Sequence, residues 1–86
     1  MRQAEILDAI REVARQQLGF SEELRPDMRL AEDLGLDSLK SLTLAVEVEN
    51  RFRIRLDPES EAQIVTVGDL VTVVGSKLDE RHHHPE

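Results

Sequence analysis

Asp37-Ser38 stands at the mouth of an apolar run in which Leu39, Leu42, Leu44, Ala45, Val46, Val48 and Phe52 follow at spacings a helix can use. That spacing places the Ser38 hydroxyl at a helix N-terminus, where unpaired backbone N–H groups and the macrodipole favour an attached phosphate. A serine acting as its own nucleophile needs a base, and the histidines of the chain, His82, His83 and His84, lie in a polar tail. Gly35-Leu36-Asp37-Ser38-Leu39 is not the Gly-x-Ser-x-Gly elbow of a hydrolase. The histidine run reads as a loose tail or an appended remnant, and the sequence carries no other metal-ligand cluster and no glycine-rich phosphate loop. Glu22-Glu23 and Glu32-Asp33 lack the spacing of a calcium loop. Without catalytic equipment around it, Ser38 reads as a point where a separate enzyme attaches a group. The chain itself is not expected to be an enzyme.

The elements that must position Ser38 follow from periodicity. Ile6, Leu7, Ile10, Val13, Ala14 and Leu18 form a helical stripe over residues 3–18, closed by Gly19. Residues 20–37 have no clean period and contain Pro26, so they read as a long connection pinned by Leu24, Met28, Leu30 and Leu34. Asp37 is a good N-cap for a second helix from Ser38 to about Phe52 or Arg53. Its apolar residues exceed a single stripe: Leu39, Leu42, Val46 and Phe52 make one row, and Leu44 and Val48 make another. Some apolar surface is therefore expected to face solvent.

Asp57-Pro58-Glu59 starts a short third helix, and Thr66 with Asp69 resembles a capping box for a fourth. Leu70, Val71, Val73, Val74 and Leu78 of that fourth helix should face the bundle, although Gly68, Gly75 and the valines weaken it. The expected fold is all-α: a small four-helix bundle with a long loop between helices 1 and 2 and a short third helix. Residues 1–80 form the one domain and 81–86 a polar, disordered tail.

Bulk properties narrow the function. A net charge of −7, with no Tyr or Trp and two Phe, argues against a nucleic-acid partner. No run of about 18 apolar residues exists, so no membrane insertion is expected. The absence of cysteine excludes disulfides and a cysteine nucleophile. A cytoplasmic monomer is the expectation. Asp27, Glu32, Asp33 and Asp37 place carboxylates just ahead of Ser38, a pattern able to attract a basic partner.

Leu34-Gly35-Leu36-Asp37-Ser38-Leu39, preceded by Asp33 and followed by Leu42 and Val46, resembles the attachment motif of the acyl carrier proteins. The resemblance extends over residues 3–80 in chain size, long loop, helix breaks and acidic balance. It implies that a phosphopantetheinyl transferase, using coenzyme A and Mg²⁺, places a 4'-phosphopantetheine arm on Ser38 as a phosphodiester. The arm's thiol would carry acyl groups as thioesters between acyl-transferring, synthase or ligase enzymes. By the same resemblance, Asp37 is the flanking acid and Leu39 an apolar contact beside the arm. Val46 and Glu49 match partner-binding positions.

Lys40 and Thr43 depart from the pattern, because carriers of bacterial fatty-acid synthesis usually show acids there. That departure favours a specialised carrier, for a polyketide-like, modified fatty-acyl or aminoacyl pathway, over a housekeeping one. Two alternatives stay open. One is a peptidyl or aminoacyl carrier, against which Leu36 speaks because that group tends to have Gly-Gly before the serine pair. The other is a helical protein-binding adaptor with no prosthetic group.

Overall fold

A computed structural model of the chain describes residues 2–82. These residues form four helices: α1 at Gln3–Leu18, α2 at Ser38–Phe52, α3 at Pro58–Ala62 and α4 at Val67–His82. Among the described residues, extended backbone pairs in an isolated antiparallel bridge between Arg29 and Thr66, and no longer strand forms. The chain is an all-α bundle in which α1 packs against both α2 and α4.

Helix α1 buries Ile6, Ile10, Val13 and Ala14, which recur at the spacing that puts them on one face. Glu5 closes its start by accepting the Arg2 amide at 3.0 Å. Its end turns at Gly19, whose amide and that of Phe20 both donate to the Ala14 carbonyl. Helix α2 buries Leu44, Val48 and Phe52. Phe52 was expected in the row of Leu39, Leu42 and Val46. It falls instead four residues after Val48 and eight after Leu44, so the helical repeat brings it onto their face.

The long connection is held at several points. Leu24, Met28 and Leu36 are buried in the core, and Leu30 and Leu34 pack against it. The Arg11 guanidinium donates twice to the Leu24 carbonyl, at 3.1 and 3.0 Å. The loop then binds the start of α4. Gly68 donates to the Pro26 carbonyl at 2.8 Å, Val67 to Met28 at 2.9 Å, and Leu30 to Val65 at 3.0 Å.

Helix α3 contributes no buried residue. Its cap is Asp57, which accepts the Ser60 amide at 2.8 Å and lies 3.6 Å from Lys77 Nζ on α4. Helix α4 is continuous despite its glycines and valines, because packing and capping outweigh propensity. Val67, Leu70, Val71, Val74 and Leu78 are buried, with Val73 half-buried. Thr66 and Asp69 form both halves of the capping box: Thr66 Oγ1 accepts the Asp69 amide, and Asp69 Oδ2 accepts the Val65 and Thr66 amides, each at 3.0 Å. The helix continues past Leu78 to His82. His83, His84 and the rest of the proposed tail lie outside the described residues.

Candidate functional site

The turn into α2 is built so that Ser38 is its first residue and exposed. Gly35 takes φ 68°, a backbone region that side-chain-bearing residues enter at a cost. Leu36 follows, buried, with its amide donating to the Leu30 carbonyl at 3.2 Å. The chain is thus anchored two residues before Ser38.

Asp37 then caps α2. Its Oδ1 accepts the Lys40 amide at 2.8 Å, and its carbonyl accepts the Ser41 amide at 2.8 Å. The Ser38 and Leu39 amides meet no acceptor among the described residues. Two free N–H donors beside an exposed hydroxyl, at the positive end of a helix dipole, fit a phosphodiester. The Asp37 carboxylate is committed to the Lys40 amide.

The other residues singled out by sequence are distributed along α2. Leu39, Leu42 and Val46 are 72%, 60% and 42% exposed, so the apolar row that exceeds the needs of the core does face solvent. Lys40 is exposed and forms no ion pair with any described residue. Thr43 keeps its hydroxyl on its own helix, donating to the Leu39 carbonyl at 3.0 Å. Glu49 is half-buried, and its Oε2 accepts the Leu56 amide at 2.7 Å. The same residue's carbonyl accepts the Arg53 and Ile54 amides. Glu49 therefore fixes the exit of α2, a role that spacing alone did not signal.

The acids ahead of Ser38 also have internal partners. Asp27 pairs with Arg25 at 3.3 Å and Glu32 with Arg29 at 2.7 Å. Asp33 accepts the Arg29 amide at 2.7 Å. A groove of about 360 Å³ opens beside α2, between it and the α3 segment, lined by Leu30, Leu44, Ala45, Leu56, Ile64 and Leu70 among others. Ser41 and Glu61 are polar residues on its wall. No group of three metal-ligating side chains forms among the described residues, and no described helix is long and apolar enough to cross a membrane.

Comparison with known proteins gives this geometry its context. A family profile described as the phosphopantetheine attachment site matches residues 8–74. An acyl carrier protein of Wolinella succinogenes is 39% identical over 70 residues, covering 80% of this chain and 92% of the relative. The crystal structure of an acyl carrier protein from Thermotoga maritima superposes with a TM-score of 0.84 at 28% identity, covering 94% of this chain and 95% of that one. A solution structure of a holo acyl carrier protein from Geobacter metallireducens gives 0.82 at 26% identity, covering 94% of each chain. Family profile, curated relative and solved structures agree over most of the chain: it belongs to the acyl carrier protein family of phosphopantetheine-dependent carriers, and it is a carrier rather than an enzyme.

Proposed function

We propose that Ser38 is the attachment point of the arm and that the chain carries thioester-linked acyl intermediates in a specialised acyl pathway. In this reading a phosphopantetheinyl transferase supplies the base that removes the Ser38 proton. The Ser38 oxygen forms a bond to the pantetheine-bearing phosphorus of the coenzyme A pyrophosphate, the bond from that phosphorus to the bridging oxygen breaks, and adenosine bisphosphate leaves with that oxygen. The arm, once attached, supplies a thiol for thioester chemistry.

The chain's own residues do the positioning. Asp37 fixes the first turn, the Ser38 and Leu39 amides face the phosphate, and Leu39, Leu42 and Val46 present an apolar surface to enzymes. The groove beside α2 is the proposed resting place for the apolar part of the cargo. The observation that carries the reading is an exposed serine at the first position of α2, next to two amides without acceptors among the described residues. The specialised role rests on Lys40 and Thr43 standing where fatty-acid carriers usually show acids.

The test is direct. The purified chain, incubated with coenzyme A, Mg²⁺ and a broad-specificity transferase, should gain the mass of one phosphopantetheine, and Ser38→Ala should gain none while keeping its helical spectrum. A folded wild-type chain that gains no mass would instead be an adaptor without a prosthetic group. Loading of the holo chain by acyl- and aminoacyl-adenylating enzymes separates the carrier classes. Exclusive aminoacyl loading would move the chain to the peptidyl carriers.

A further inference from the structure

The groove beside α2 is apolar except at two residues, Ser41 on α2 and Glu61 on α3, and both are exposed. The Ser41 hydroxyl and the Glu61 carboxylate meet no hydrogen-bond or ion-pair partner among the described residues. Water solvates them while the groove is open, and a chain laid along the groove takes that water away.

The fold sets these two residues at a similar level. Ser41 follows Ser38 by three residues, about 4.5 Å along the axis and on the same side of α2. It therefore stands at the end of the groove nearest the arm. The facing wall begins at Leu56, whose amide is held by Glu49 Oε2 at 2.7 Å, near the end of α2. It finishes at Val65, whose carbonyl accepts the Leu30 amide at 3.0 Å, while the Leu30 carbonyl accepts the Leu36 amide at 3.2 Å. This wall thus runs back towards the start of α2. Glu61, past its middle, comes level with the first half of α2, where Ser41 stands.

The cost of covering these groups depends on the cargo. A saturated chain removes water from a carboxylate and a hydroxyl and returns no hydrogen bond. A hydroxyl on the chain serves both, donating to the carboxylate, which only accepts, and accepting from Ser41. An ammonium offers donors alone and gives up more hydration than a hydroxyl does. The rest of the lining, including Leu44, Leu56 and Ile64, suits a hydrocarbon tail.

We propose that the groove selects acyl chains bearing a hydroxyl close to the thioester, held between Ser41 and Glu61, with the hydrocarbon remainder along Leu44, Leu56 and Ile64. Ser41 and Glu61 are then specificity-determining residues for the cargo. Selection arises because the matching chain replaces the lost water and a saturated chain does not. The proposal rests on the reading that Ser38 bears the arm and that the groove receives its cargo.

The probes are decanoyl, β-hydroxydecanoyl and β-aminodecanoyl arms, placed on the chain from the matching acyl-coenzyme A by a broad-specificity transferase and verified by mass. A chain that takes up no arm fails at this step, and the attachment reading fails with it. Cleavage of each thioester by hydroxylamine is then timed against the same thioester on free pantetheine, which removes its intrinsic reactivity. The β-hydroxydecanoyl arm should be protected at least about threefold more than the decanoyl arm. Ser41→Ala/Glu61→Ala, at two exposed side chains, should make decanoyl the better protected, with the helical spectrum unchanged. Equal or better protection of decanoyl or β-aminodecanoyl on the wild-type chain would overturn the proposal, as would an unchanged preference in the variant. If no arm is protected relative to free pantetheine, the groove holds no cargo, and that reading falls together with the proposal. Should the double variant not fold, the wild-type comparison among the three arms decides alone.

Discussion

The Pro26 carbonyl accepts the Gly68 amide at 2.8 Å, and a Cβ on Gly68 would stand 3.1 Å from that same oxygen. The long loop and the start of α4 approach so closely that only glycine fits without displacing backbone. Gly75, two helical turns further on, is different: a Cβ there would lie 3.7 Å from Ile6 Cδ1, an ordinary contact. The two glycines of α4 should therefore respond oppositely to alanine. Gly75→Ala should stabilise the fold by about 0.5–1 kcal/mol through helix propensity. Gly68→Ala should destabilise it by about 1 kcal/mol, because strain and a weakened hydrogen bond exceed the propensity gain. Urea midpoints of the two variants against wild type check both signs.

Asp37 offers a second test, with a built-in rescue. Its side chain holds the Lys40 amide and so sets the first turn from which Ser38 projects. Asp37→Ala should cost about 1 kcal/mol and slow arm transfer to Ser38 as that turn frays. Asp37→Asn, an equally good cap, should restore stability. Transfer rates measured alongside unfolding midpoints separate the two roles of this residue. If Asn restores stability but not rate, the charge of Asp37 acts on the transferase directly.

The bundle was legible where periodicity or capping chemistry is strong. Ile6, Ile10, Val13 and Ala14 announce α1, and Asp37, Asp57 and the Thr66–Asp69 pair mark three helix starts that all form hydrogen-bonded caps. The position of Ser38 at the start of α2 was legible for the same reason, as a residue directly after a cap. What the sequence could not convey are relationships across the chain. Met28 and Pro26 bind the start of α4 through backbone carbonyls, which carry no side-chain signal. Glu49 resembles a partner-facing acid in one dimension, yet it reaches seven residues on to the Leu56 amide. Phe52 follows a run of apolar residues on two faces, and only the helical repeat measured against the core assigns it inward.

Leu36 is the clearest residue that periodicity did not single out as a core contact. Flanked by Gly35 and Asp37, it belongs to no repeat, yet it is buried while Leu34 is half-buried. Leu36→Ala should cost about 2–4 kcal/mol, and Leu34→Ala distinctly less. Because Leu36 anchors the turn into α2, its loss should also loosen the Lys40 and Ser41 amides, which donate to Asp37. Hydrogen exchange at those two amides, compared between the two variants, checks the coupling.

Acid sensitivity follows from Asp57 and Asp69. Hydrogen bonding from the Ser60 amide, aided by the Lys77 charge, lowers the Asp57 pKa below its ordinary value of 3.8. The Thr66 and Val65 amides lower that of Asp69 in the same way. A carboxylate with a lowered folded-state pKa contributes stability above its unfolded value, and that contribution disappears as pH falls through the folded value. These two caps therefore act in full at neutral pH and weaken below about pH 4. Asp57→Asn/Asp69→Asn retains acceptor oxygens but does not titrate. Its stability deficit against wild type should be largest near neutral pH and narrow steadily towards about pH 3. Taking the difference between the two proteins at each pH removes the background from the −7 net charge, whose self-repulsion acid relieves in both. A deficit that stays constant from neutral pH to about pH 3 would show that these carboxylates stabilise the helix starts through hydrogen-bond geometry alone, independent of their ionisation.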